Sequence, residues 1–389
     1  MRRESYRRIA EECGTPAYVF DTDVLRDKIA FLKDNLGGKV RICYAMKANA
    51  FLIEPLKGLA DCFEVCSPGE YAICEKSNIP QEDIVLSGVF KEKTDVLAAI
   101  RRDNGKGVYT IESLQQLRII EECASEINVK VDTLIRVTSG NQFGMDESQV
   151  KVVVSDRNQY PHIHFRGIQF YSGTQKKKAG KIKKELEELD RLYTELRDEC
   201  NYEIEELEYG PGLPASYFIN DEIDDLELLN QLRLSLEKMN YQGKITLEMG
   251  RYIAFDCGYY FAKIVDMKTN RQENYCIIDG GIHHINYYGQ TFAMKTPYVV
   301  HLGNVEDGTS DSWKICGSLC TVGDVVLNNF SLNSPQEGDI LVFENIGAYS
   351  VTEGIYLFLS RNLPKIYFYS EKNGLELRRE ETPTYKLNF

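Results

Sequence analysis

Eight short apolar segments, separated by helical patterns, constrain the fold of this chain more than any other feature. They span residues 39–45, 62–66, 83–87, 107–111, 131–137, 165–171, 204–209 and 245–248. Helical stretches between them include 21–36, 111–124, 181–199 and 224–239. The third is the clearest, with Leu186, Leu189, Leu192, Tyr193 and Leu196 on one face and charges on the other. Eight strands alternating with helices predict a closed (β/α)8 barrel of the TIM type.

After Arg251 the pattern changes. Tyr, Val, Ile and Phe recur in short runs broken by Gly, Asn and Asp, and 274–279, 298–302, 339–344 and 365–370 read as strands. No long helical pattern remains, so a second, mostly β domain is expected. Thr15-Pro-Ala-Tyr-Val-Phe-Asp21 is strand-like and is expected to pair with that domain's sheet. The expected layout is 1–20 joining the β domain, 21–253 forming the barrel and 254–389 forming the β domain. A chain of 389 residues is long enough for both.

Composition narrows the functional class. Hydrophobic residues make up 43% and charged residues 27%, as in ordinary globular proteins. No apolar run approaches the roughly 20 residues of a membrane span. The basic start Met1-Arg-Arg-Glu-Ser-Tyr-Arg-Arg8 has no apolar core after it, unlike a secretory signal. The 11 cysteines are odd in number, and neither Cys62/Cys66 nor Cys316/Cys320 is a CxxC pair, which fits reduced thiols in a cytoplasm. A net charge of −13 argues against nucleic-acid binding. The local exception is the run 176–184, with six lysines in nine residues. It reads either as a solvated helix start or as a docking patch for an acidic partner.

Barrel enzymes carry their chemistry at the C-terminal strand ends. The first strand ends at Lys47, in Tyr44-Ala-Met-Lys47-Ala-Asn49. A lysine at a buried strand end can lose its proton by desolvation and attack an aldehyde. The sixth strand leads into Tyr171-Ser-Gly-Thr174, the seventh into Gly210-Pro-Gly212-Leu-Pro214, and the eighth into Glu248-Met-Gly250-Arg251. A glycine turn there lets backbone N–H groups approach an anion, and Arg251 adds a cation where such barrels bind phosphate. Glu248 offers a carboxylate for a pyridinium nitrogen. Tyr171 is able to stack on a cofactor ring. Glu64 and Glu70 lie near the second strand end without a definite place. His283 and His284 would face opposite sides of a strand, so no metal site is expected there.

These motifs, in this order, resemble the fold-type III pyridoxal 5'-phosphate (PLP) decarboxylases, the group of diaminopimelate, ornithine and arginine decarboxylases related in fold to alanine racemase. The resemblance runs from Thr15-Pro-Ala-Tyr-Val-Phe-Asp21 to Gly347-Ala-Tyr349. It implies that Lys47 binds the PLP aldehyde. It further implies that Gly210, Gly212, Gly250 and Arg251, with Thr174 and Tyr349, hold the phosphate, and that Glu248 meets the pyridine nitrogen. Cys320 would return a proton to the reacting carbon, and the active unit would be a homodimer with its sites at the interface.

Two departures bear on substrate. The family's usual histidine over the cofactor face is here Tyr171. The acidic residue that commonly follows the cysteine is here Thr321, which suits an amide or thioester better than a free ammonium. Gln142-Phe-Gly-Met-Asp-Glu147, Tyr171-Ser-Gly-Thr-Gln175, Asp279-Gly-Gly-Ile-His283-His284 and Leu319-Cys-Thr321 are more similar to a biosynthetic subgroup. That subgroup includes a decarboxylase of a carrier-protein-bound glutamyl group and decarboxylases of siderophore assembly. The expected activity is therefore decarboxylation of an amino acid within a conjugate, with His284, Tyr288 and Thr321 as substrate contacts. The alternatives are a decarboxylase of free diaminopimelate, ornithine, lysine or carboxynorspermidine, an amino-acid racemase, and a non-catalytic homologue.

Overall fold

A computed structural model describes residues 1–291, 293–303 and 309–389. The chain divides into two compact units. One comprises Lys28–Pro214 and Ile223–Ile253, and the other comprises Met1–Asp27, Ala215–Glu222 and Ala254–Phe389. The first strand, β1 (Ala17–Asp21), belongs to the second of these.

The first unit is a closed parallel barrel of eight strands: β2 (Val40–Ala45), β3 (Cys62–Val65), β4 (Ile84–Leu86), β5 (Val108–Ile111), β6 (Val131–Val137), β7 (Ile163–Tyr171), β8 (Glu206–Gly210) and β9 (Lys244–Met249). β9 pairs back onto β2, with Cys43 opposite Glu248, and closes the ring. Cys43, Cys62, Val85, Val108 and Leu134 pack together as one apolar cluster contributed by five successive strands. The helix Ala179–Cys200 buries Ile182, Leu186, Leu189, Leu192, Tyr193 and Leu196, the stripe expected from its 3.6-residue period. Each such apolar side chain contributes roughly 1.5–3 kcal/mol on burial. The same face also buries one carboxylate, Glu185.

Local chemistry moved two expected boundaries. The helix foreseen from 111 begins at Leu114, because Ile111 still pairs in β5 and Ser113 caps the helix, its hydroxyl accepting from the Gln116 N–H at 3.2 Å. The layout also shifts. Residues 21–27 and 215–222, expected in the barrel, belong to the sheet unit. Asp21 accepts from the N–H groups of Asp23 and Val24, and Phe218 and Ile219 bond to the backbone around 296–297.

The sheet unit adds β10 (Gly258–Asn270), β11 (Glu273–Ile278), β12 (Val299–Leu302), β13 (Ser310–Cys316), β14 (Val325–Asn333), β15 (Ile340–Glu344), β16 (Lys365–Ser370) and β17 (Gly374–Arg379). The strand order is β14-β13-β11-β10-β1-β16-β17, with β15 pairing both β10 and β12. β1 lies between antiparallel β10 and parallel β16 and is buried throughout. Tyr6, Ile9, Cys13 and Val19 pack there with Tyr259, Phe261, Val342 and Tyr367. Among the described residues no helix is long and apolar enough to cross a membrane.

The paired histidines are not on a strand. They lie in a turn after β11, in which the N–H groups of His284 and Ile285 both donate to the Gly281 carbonyl. The rings therefore lie side by side, centroids 3.7 Å apart, rather than on opposite faces. Both are buried. Burial, and then the Arg361 charge, pulls His283 down to about 4; burial and His283 hold His284 well below the usual imidazole range. An unfolded histidine takes up its proton near pH 6.5, whereas the folded chain resists doing so. Stability should thus fall as pH drops from 6.5 toward 4. His283→Asn should lose roughly 2 kcal/mol less than the parent between pH 7.5 and pH 5. Urea unfolding at the two pH values measures this, and equal losses would refute the burial of a neutral imidazole.

Candidate active site

Closure of the barrel sets three charges at one mouth. Lys47 lies in the 3-10 turn Met46–Ala48 that follows β2. The strands on either side of β2 are β3 and β9, and each ends near the lysine with a buried glutamate, Glu64 and Glu248. Lys47 Nζ donates to Glu64 Oε2 and, at 3.0 Å, to Glu248 Oε1. One ammonium cannot neutralise two buried carboxylates, and the two acids divide accordingly. Burial works to raise Glu64, but the Lys47 charge overrides it and holds this carboxyl below its ordinary range. Burial, and then the negative Glu64, push Glu248 above its ordinary range. Of the pair, Glu64 is thus the stronger acid and Glu248 the weaker.

A third carboxyl lies close by. Glu208 on β8 is fully buried and accepts from Gln169 Nε2 at 2.5 Å, while its other oxygen has no hydrogen-bond partner among the described residues. Burial, and then the Glu248 carboxyl, raise it well above the usual range. Glu70 does not join this group. Its carboxylate accepts from the Cys66 N–H at 2.6 Å and secures the start of the helix Pro68–Lys76, which Ser67 caps.

Beside these acids lies a cradle formed by glycines. Gly212 has φ +62°, and a Cβ there would fall 2.0 Å from the Gly173 carbonyl oxygen. A Cβ on Gly210 would come 2.5 Å from the Tyr171 ring, and one on Gly250 would come 2.8 Å from the Ala45 carbonyl oxygen. Only glycine lets the loops after β7, β8 and β9 approach this closely. Arg251 begins the next helical turn, Arg251–Ala254. Burial, and then the Glu248 charge, raise the Tyr171 phenol, so it remains neutral. Thr174 is half-buried in the loop after β7. Closely set backbone with an arginine fits a phosphate, and a lysine flanked by acids fits an aldehyde-bearing, ring-nitrogen cofactor.

The remaining candidates belong to the sheet unit. Cys320 is exposed in the loop between β13 and β14, followed by Thr321 and by Val322, which is 101% exposed. Asp324 shapes that loop. One oxygen accepts from Ile282 N at 2.9 Å and the other from Leu319 N at 2.7 Å. Tyr349 has φ +69°, and its carbonyl accepts from the N–H groups of Thr352 and Glu353 at 2.8 Å. Tyr288 is 49% exposed. His284 is buried with its Nδ1 2.7 Å from the Tyr260 hydroxyl.

Glu208, Gln169 and Glu185 escaped the sequence reading. For Glu185 a signal existed, since it interrupts the apolar stripe between Ile182 and Leu189. Lys176, counted with the basic run, is buried and paired with Glu185, so it is no part of an exposed patch.

Comparison with known proteins agrees with this geometry. Residues 22–255 match the family model "Pyridoxal-dependent decarboxylase, pyridoxal binding domain". An L-glutamyl-(BtrI acyl-carrier protein) decarboxylase of Niallia circulans is 24% identical over 380 residues, covering 90% of this chain and 87% of the relative. A diaminopimelate decarboxylase of Aquifex aeolicus is 25% identical over 369 residues, covering 89% and 84%. The structure of the Helicobacter pylori diaminopimelate decarboxylase complexed with L-lysine shares the fold, with TM-score 0.87 at 20% identity and 98% of each chain covered. A barrel mouth built for an aldehyde and a phosphate, and a family match across the barrel that carries it, make this chain a member of the pyridoxal-dependent amino-acid decarboxylases.

Proposed function

We propose that this decarboxylase acts on an amino acid held in a larger conjugate, an amide or a carrier-bound thioester, and that it does so as a homodimer. The carrying observation is Asp324. It is the sole acid of the loop 316–324, and both of its oxygens are bonded to backbone N–H groups. The residues beside Cys320 are the neutral Leu319 and Thr321. This loop therefore presents no carboxylate to a substrate's distal ammonium. Similarity to a carrier-protein-dependent decarboxylase supports the same reading. The full exposure of Val322, beside an exposed Cys320, supports a second subunit covering this loop.

In this reading Lys47 binds the PLP aldehyde. The turns at Gly210, Gly212 and Gly250 would hold its phosphate with Arg251, Thr174 and Tyr349, and Tyr171 would stack on its ring. When bound, PLP supplies the electron sink that lets carbon dioxide leave. Glu248 would meet the ring nitrogen, and its carboxylate would keep that nitrogen protonated and the sink electron-poor. Glu64, the stronger acid of the pair, holds the Lys47 amine at the barrel mouth. Cys320 carries the proton that replaces the lost carboxylate. His284, Tyr288 and Thr321 are the proposed substrate contacts. Of these, Tyr288 and Thr321 are solvent-facing, whereas His284 acts from the buried turn.

A second reading has its own support: several similar proteins are diaminopimelate decarboxylases acting on a free diamino acid. Carbon dioxide release by PLP-loaded protein separates the two. The panel holds diaminopimelate, ornithine, lysine and carboxynorspermidine beside glutamyl and diaminopropionyl conjugates, carrier-bound where available. Release from conjugates alone is expected. Efficient release from a free diamino acid would defeat the conjugate reading.

Lys47→Ala should abolish the yellow colour of the lysine-bound cofactor and all turnover, and a variant that stays yellow would remove Lys47 from this role. Cys320→Ala should slow amine formation by roughly 10²-fold or more and divert product toward decarboxylation-coupled transamination. Unchanged kinetics and product would rule out the thiol as proton donor.

A further inference from the structure

The buried carboxylate on the helix Ala179–Cys200 is not accounted for by packing. Leucine would fit the stripe between Ile182 and Leu189, and a buried ion pair is seldom more stable than apolar packing of the same volume. Glu185 nevertheless occupies it and accepts three hydrogen bonds. They come from Ser172 Oγ at 2.5 Å, Lys176 Nζ at 2.6 Å and Tyr209 OH at 2.7 Å.

The three donors share one location. Ser172 directly follows β7, Tyr209 is the penultimate residue of β8, and Lys176 lies in the loop between Ser172 and the helix. These segments form the two walls of the glycine cradle. The Lys176 N–H donates to the Gly212 carbonyl at 2.9 Å, and its side chain passes so near Gly212 that a Cβ there would lie 3.2 Å from Cε. The Gly173 carbonyl closes the same approach. Glu185 thus links the loop after β7 to the turn after β8 through the lysine that touches both. The Lys176 side chain is 1% exposed, so without Glu185 its ammonium would be buried and uncompensated, and the loop would have to move to hydrate it. Burial, and then Glu185, raise the Tyr209 phenol, which keeps it a donor.

We propose that Glu185 is a positioning residue that sets the spacing of the Gly173 and Gly212 walls and thereby confers affinity for the phosphate of the cofactor. This rests on the placement of the phosphate at the glycine turns given above. Neither Glu185 nor Lys176 touches the reacting atoms in this scheme. Their effect is confined to the anion, and that makes it separable from a general loss of stability.

The test titrates full-length, cofactor-depleted protein with PLP and with pyridoxal, which has the same ring and aldehyde but no phosphate, following absorbance. Glu185→Gln should weaken PLP binding by roughly tenfold or more. Its effect on pyridoxal should stay within about twofold. Tyr209→Phe and Ser172→Ala each remove one donor and keep the ion pair, and they should shift PLP affinity in the same direction by a smaller factor. They carry the test if Glu185→Gln does not fold. Equal weakening of both probes, or unchanged PLP affinity, would overturn the positioning role. Gly212→Ala isolates the underlying assumption. If it leaves PLP affinity intact, the phosphate is not at this turn. If it abolishes PLP affinity while Glu185→Gln does not, only the role of Glu185 is wrong.

Discussion

The pairing of β9 with β2 is the constraint on which the site depends. In an open sheet the first and last strands would lie at opposite edges, and Lys47 and Glu248 would never meet. Closure brings Cys43 opposite Glu248 and lets the strands on both sides of the lysine deliver a glutamate to it. The apolar cluster of Cys43, Cys62, Val85, Val108 and Leu134 makes that closure favourable, because side chains contributed by five successive strands are buried together. The core and the reactive group are thus two levels of the same ring of strands.

Burial then decides protonation. Lys47 is partly exposed, but Glu64, Glu248 and Glu208 are buried, and three carboxylates around one ammonium would leave two uncompensated charges in a low-dielectric interior. The structure resolves this by ranking the acids. Glu64, bonded to Lys47, is held anionic. Glu248, next to that anion, is pushed up. Glu208, bonded only to an amide, is raised well above the usual range. The ranking suits a cofactor that brings a basic ring nitrogen, since the weaker acid, Glu248, can exchange a proton with it where that nitrogen is proposed to lie.

Much of this was legible in the sequence because barrel strands announce themselves by apolar runs between amphipathic helices, and because strand ends concentrate reactive residues. Lys47, Glu248, Gly210, Gly212 and Arg251 could be picked out by their place after a strand. What could not be read was pairing. Glu64 has a place only once β3 is known to adjoin β2, and Gln169 and Glu208 become partners only through the β7–β8 register. β13 and β17 are polar, half-exposed strands (Ser-Asp-Ser-Trp-Lys-Ile-Cys and Gly-Leu-Glu-Leu-Arg-Arg) held by backbone bonds, and each has only two alternating apolar residues, too few to mark a strand. His283 and His284 show a related limit: opposite faces require a strand at the histidines, whereas β11 stops at Ile278 and the glycines that follow allow a tight turn.

Two lysines separated by 129 positions show how context divides one chemistry into two roles. Lys47 follows its strand directly, remains 38% exposed, and shares its proton with acids of unequal strength. Lys176 is 1% exposed and bound to one carboxylate that two hydroxyls also engage. The first is placed to exchange partners, since solvent and an incoming aldehyde can reach its amine while Glu64 and Glu248 hold it in place. The second is placed to keep its partner, because leaving would strand a charge in the interior. On physical grounds the reactive lysine is the one that solvent and an aldehyde can reach, and the structural lysine is the one sealed beside its partner.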